Sequence, residues 1–222
     1  MNKKYKGYQD PDRKVTLLEG IEDIEPYYIT LPEPPKVELI GNFGLPKEQQ
    51  FFQRERVPRK IWELTKQVNT DKMTREEAFA YARKDAELSS FIQSQWHKRE
   101  HGDWVYIYGK PHYISGTYWF FLNYYMMDIG HPTFRETQWE KSLWWKFCVE
   151  ENDAVYGGIE FTRRREGKSY WLGNILIEHA TRTQLTYNGC QSKSEDDAAT
   201  FFRKCVVFAF KRLPFFFTPE HV

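Results

Sequence analysis

The segment Thr162-Arg163-Arg164-Arg165-Glu166-Gly167-Lys168-Ser169 holds the densest chemistry in this 222-residue chain. A Gly-Lys-Ser that closes a loop after a strand and opens a helix makes a phosphate cradle. The N–H groups of the helix start point at an anion, and the helix dipole favours it. In such a cradle the lysine reaches the outer phosphates and the serine hydroxyl ligates magnesium. The general pattern G-x-x-x-x-G-K-[ST] is met except at its first position, where Thr162 stands in place of glycine. Arg163, Arg164 and Arg165 make the loop strongly basic, with only Glu166 opposing them. The planar fork of arginine can bind a terminal phosphate bidentately and stabilise charge that develops during transfer. A lone Gly-Lys-Ser is a common surface turn and an arginine run a common solvated face. The flanking elements therefore decide between these readings.

Those elements fit the phosphate loop. Val155 to Phe161 is an apolar strand candidate, weakened by Gly157 and Gly158. From Ser169 to about Thr181, Leu172, Ile175, Leu176 and His179 recur as one helical face, and Gln184 to Cys190 makes another short strand. Strand, loop, helix and strand in this order suit one parallel βαβ crossover. Ser192-x-x-Glu195 has the form of a capping box for a last helix carrying Ala198, Phe201, Phe202, Cys205 and Phe208, stopped by Pro214.

The pattern of breakers and periodicity divides the chain into three regions. Residues 1–46 hold six of the eleven prolines and read as an extended arm, in which Val37 to Ile40 could add as an edge strand. Residues 47–103 form a helical subdomain, with a capping box at Thr74-x-x-Glu77 and an apolar series Tyr81, Leu88, Ile92 and Trp96. Residues 104–222 form the α/β part. In it Trp104 to Tyr108 is a strand, Gly116 to Met127 is aromatic on every side and so buried, and a helix carries Trp139, Leu143, Trp144, Phe147 and Cys148.

Composition narrows the function classes. Lys and Arg number 32 against 31 Asp and Glu, so no global basic field exists and any nucleic-acid affinity must be local. The three cysteines lack metal-ligand spacing, the six histidines form no pair or cluster, and the N-terminus shows no signal peptide. These features point to a soluble intracellular protein with reduced thiols.

Arg164-x-x-Gly167-Lys168-Ser169 without a leading glycine resembles the deviant Walker A loop of the large terminase subunits of tailed bacteriophages. Thr162 matches a small hydroxyl residue often seen in that loop. Phe134-Arg135-Glu136-Thr137-Gln138 resembles the family's adenine-recognition segment. Gln191 to Ala198, with Leu213-Pro214-Phe215-Phe216, resembles terminase sequence C-terminal to the first βαβ unit. The likeness spans about Tyr113 to Pro219.

The resemblance implies a P-loop NTPase of the additional-strand ATPase type with a partial parallel sheet. It implies that Arg164 and Lys168 hold and sense the β- and γ-phosphates of ATP. Ser169 would hold magnesium and Gln138 adenine, with Thr162, Arg163, Arg165, Glu166 and Gly167 completing the nucleotide site. The implied activity is ATP-driven movement of double-stranded viral DNA into a prohead. The implied partners are the portal protein, the small terminase subunit and further copies in a ring, in the host cytoplasm with no membrane. No apolar strand ending in Asp-Glu follows Lys168, and the run Cys205 to Phe210 ends in Lys211-Arg212. The chain thus reads as the N-terminal part of a terminase, with a truncated sheet that leaves Phe215, Phe216 and Phe217 exposed. Two alternatives stay open: another P-loop ATPase, helicase-like, or a non-catalytic fragment whose basic loop grips DNA phosphates.

Overall fold

A computed structural model describes residues 14–17, 27–33, 52, 54–68, 72–107, 110–152, 154–155, 157–159, 166–183, 186 and 188–219. The chain divides into two compact units that interleave in sequence: 1–53, 101–119 and 133–160 form one, and 54–100, 120–132 and 161–222 the other. The helical region expected to stand apart therefore shares a unit with the residues after 161.

In the first unit, β1 (Lys14–Leu17) and β2 (Tyr27–Thr30) pair antiparallel, Lys14 opposite Thr30. Part of the expected arm is thus a hairpin, while Val37 to Ile40 lie outside the described residues. A second antiparallel pair joins β3 (Asp103–Ile107) to β4 (Lys110–Ile114), and puts Trp104 opposite Tyr113 with ring centroids 5.8 Å apart. Gly102 makes the turn into β3 at φ 78°, and any side chain there would collide with the Ile114 carbonyl and the Tyr113 ring. The core gathers Ile29, Leu31, Trp104, Tyr113, Leu143 and Cys148. Trp139 anchors the helix Glu136–Trp144 (α5 in chain order) by donating its indole N–H to the Tyr113 carbonyl at 2.6 Å. That helix continues as a π-helical turn, Trp145–Glu150.

The second unit is helical. Its first three helices are α1 (Arg59–Gln67), α2 (Arg75–Ala82) and α3 (Ala86–His101). The capping box at α2 is as expected: Thr74 accepts from the Glu77 N–H at 3.3 Å and the Glu77 carboxylate accepts from the Thr74 N–H at 2.8 Å. Asp85 breaks the pattern before α3 by accepting from the Glu87 and Leu88 N–H groups, both at 3.0 Å. The aromatic helix α4 (Gly116–Asn123), whose residues 116–119 belong to the first unit and 120–123 to the second, is buried throughout, as its composition demands.

Next come α6 (Lys168–Arg182) and α7 (Glu195–Phe201), the latter running on through a π turn at Phe202–Val207. Gly173 lets α6 approach that turn closely, since a Cβ there would lie 2.6 Å from the Cys205 carbonyl. The carbonyl of Cys205, on that π turn, accepts from the buried Tyr125 hydroxyl at 2.6 Å. The 3₁₀ turn Phe215–Phe217 is buried among Phe79, Phe91, Trp96, Phe120 and Tyr124. This corrects the expectation that Phe215, Phe216 and Phe217 are exposed. Edge-to-face packing among these aromatic side chains absorbs the three rings.

All described strands belong to the two antiparallel pairs. Val155 and Gly157 to Ile159, on the expected strand before the loop, are irregular, and Ile159 is 85% exposed. Thr186 and Asn188 to Cys190, on the expected strand after α6, are irregular as well. The remaining residues of both segments lie outside the described set, so the described strands contain no parallel sheet.

Candidate phosphate loop and its supports

Gly167 precedes α6 in the left-handed region, φ 77° and ψ 17°. A residue capping a helix start ordinarily lies in the β region, and a side chain at left-handed φ costs about 1–2 kcal/mol. Glycine is the residue that turns the chain this way without strain. The α6 ladder opens with the Trp171 N–H donating to the Gly167 carbonyl at 3.1 Å, so the N–H groups of the first turn take no part in it. Lys168 and Ser169 are exposed on that turn, and Glu166 and Gly167 are half-buried beside it. The structure thus brings Glu166, Gly167, Lys168 and Ser169 together at one helix start. Thr162, Arg163, Arg164 and Arg165 lie outside the described residues. Gln138 belongs to the first unit, on α5, where it is 5% exposed.

The first turn of α6 is pinned by Tyr170, whose hydroxyl donates to Asp128 on the tight turn Met127 to Gly130. That bond, with burial and the Asp128 charge adding to it, pushes the Tyr170 hydroxyl up to about 12. Asp128 also raises the Cys205 thiol, already pushed up by burial, to about 11. Cys205 is therefore an inert packing group at neutral pH.

The far end of α6 is fixed by a buried charge cluster that sequence reasoning missed. Arg99 on α3 and Glu178 on α6 are each 1% exposed. Arg99 Nε lies 3.4 Å from Glu178 Oε1 and its Nη2 donates to the Glu178 carbonyl at 2.8 Å, while Arg182 Nε meets the same Oε1 at 2.7 Å. Arg99 Nη1 is buried without a hydrogen-bond partner. The guanidinium instead packs over Phe120, Phe217 and Trp96, 4.4, 4.8 and 5.0 Å from their centroids. Burial pulls the Arg99 guanidinium down to about 10, with Glu178 opposing.

The buried face of α6 is Trp171, Gly173, Asn174, Ile177, Glu178 and Thr181. Leu172, of the expected apolar face, is 48% exposed. The true face is rotated because aromatic packing, a glycine contact and an ion pair position this helix rather than an aliphatic stripe. Among the described residues no three His, Cys, Asp or Glu side chains are grouped to hold a metal, and no helix is long and apolar enough to cross a membrane.

The chain matches no protein-family model, and no curated protein or solved structure is significantly similar to it.

Proposed function

We propose that this chain is the nucleotide-binding part of an ATP-driven DNA-packaging motor of the terminase type, with Mg·ATP held at the start of α6. The observation that carries this reading is the left-handed Gly167 directly ahead of Lys168 and Ser169, at the head of a 15-residue helix. Lys168 and Arg164 would hold the β- and γ-phosphates, Arg163 and Arg165 add positive field, and Ser169 ligates magnesium. The loop is incomplete as a hydrolytic site within this sequence: no Asp-Glu pair follows Lys168 to hold magnesium through water and orient a nucleophile. Double-stranded DNA, a portal ring, a small terminase subunit and further copies of the chain are the partners this reading proposes.

The test is equilibrium binding of Mg·ATP to the 222-residue protein and to Lys168→Ala, with phosphate release measured in parallel. The wild type binds weakly at the start of α6 and releases negligible phosphate, and the variant loses that binding. Equal binding by both proteins, or robust turnover, contradicts the proposal.

A further inference from the structure

The second unit contains a cavity of about 490 Å³, walled by the segment before α1, by α1 itself, and by the turn from Arg212 to Phe215. That volume lies within the range of roughly 300–1,000 Å³ typical of sites for small organic ligands. Arg54, Lys66 and Arg212 bring three cations to the wall. No described carboxylate pairs with any of them. Arg54 donates to the Asn123 carbonyl at 2.7 Å, and Arg212 to the Phe208 carbonyl at 2.8 Å. Lys66 lies 3.3 Å over the Trp62 ring. Glu55, the acid among the described residues of the wall, is already paired. Both its carboxylate oxygens lie 3.1 Å from Lys98 Nζ, and Oε1 also accepts from the Gln95 amide at 3.2 Å.

Two further features define the ligand such a cavity would accept. His131 on the wall has its Nδ1 buried with no hydrogen-bond partner, a cost that a ligand bond would remove. Trp62, 49% exposed, offers a large aromatic surface at the rim beside the cations. A cavity with cations that no described carboxylate pairs, an orphaned imidazole nitrogen and a half-exposed indole matches a ligand that joins an anion to a planar ring.

We propose that this cavity binds a nucleotide unit, phosphate against Arg54, Lys66 and Arg212 and base against Trp62. The unit is either a free nucleotide or one residue of a single strand. The site is separate from the loop at Gly167 and does not depend on its assignment.

The experiment uses the full chain carrying Lys168→Ala, so that binding at the loop is removed. Thymidine monophosphate, a short oligothymidylate and inorganic phosphate are titrated into it. The titrations are repeated on that background with Trp62→Ala and with Lys66→Glu plus Arg212→Glu, whose folding is checked by thermal unfolding. All three substituted side chains are exposed, so the fold is retained. The nucleotide or the oligonucleotide binds; Trp62→Ala weakens it about tenfold, and the double charge reversal abolishes it. Binding of both ligands identifies a free-nucleotide site, and binding of the oligonucleotide alone identifies a strand site. Three results overturn the proposal: neither ligand binds, phosphate binds as tightly as the nucleotide, or the substitutions leave affinity unchanged.

Discussion

Arg99 and Glu178 bring opposite charges into the interior of the second unit, and that position makes each depend on the other. Desolvating a carboxylate or guanidinium costs several kcal/mol, and the pair offsets this through one ionic contact and hydrogen bonds to α6. Replacing Glu178 with Ala removes the partner and leaves the Arg99 guanidinium buried against three rings. The expected loss is about 3–5 kcal/mol in chemical denaturation. A loss below about 1 kcal/mol, the range of exposed pairs, would mean that water reaches the cluster.

This pair was invisible in the sequence. Arg99 sits in a polar stretch, Lys98-Arg99-Glu100, that reads as a solvated face. Only the rings of Phe120 and Phe217, distant in sequence, together with Trp96 one turn earlier, turn it into a core position. Gly167 was legible because its need is local: a chain that turns left-handed into a helix calls for glycine whatever surrounds it.

Helix boundaries with local chemistry were readable for the same reason, and packing faces were not. The Thr74 and Glu77 cap depends on two side chains and their own backbone, and it forms as the pattern says. The cap of α7 shows how such a pattern slips. Ser192 and Glu195 have the right spacing, yet Ser194 is the capping residue, accepting from the Asp197 N–H at 3.2 Å and donating to its carboxylate at 2.7 Å. Two overlapping Ser-x-x-acid patterns compete there, and the later one places three acids, Glu195, Asp196 and Asp197, in the first turn where the dipole favours them.

Ser194→Ala is therefore expected to lower stability by about 1 kcal/mol, while Ser192→Ala stays within about 0.5 kcal/mol. Thermal melts of the two variants decide which serine caps. The face of α6 was misplaced because Leu172, Ile175 and Leu176 mark an aliphatic stripe, whereas Trp171, Gly173 and Glu178 make the buried contacts. Hydrophobicity alone cannot foresee a glycine that admits a neighbouring carbonyl or a glutamate that meets an arginine.

Across the whole molecule, the order of elements in sequence hides how they group. Three consecutive regions were expected, and the chain instead returns twice to each of two units. Local patterns fix where helices and hairpins form, but not which of them share a core. Shared cores rest on long-range aromatic contacts such as Trp96 with Phe217 and Phe121 with Trp171. The described strands pair antiparallel with their neighbours in sequence. The nucleotide reading therefore rests on the helix start at Gly167 and on the basic residues before it, more than on a sheet.

Mapping of backbone amides by NMR as Mg·ATP is added to the full chain tests that claim most directly. Saturable shifts are expected at Gly167, Lys168, Ser169 and Tyr170, absent when Lys168 is replaced by alanine. Shifts confined to other segments, or none at these amides at saturating nucleotide, would contradict it.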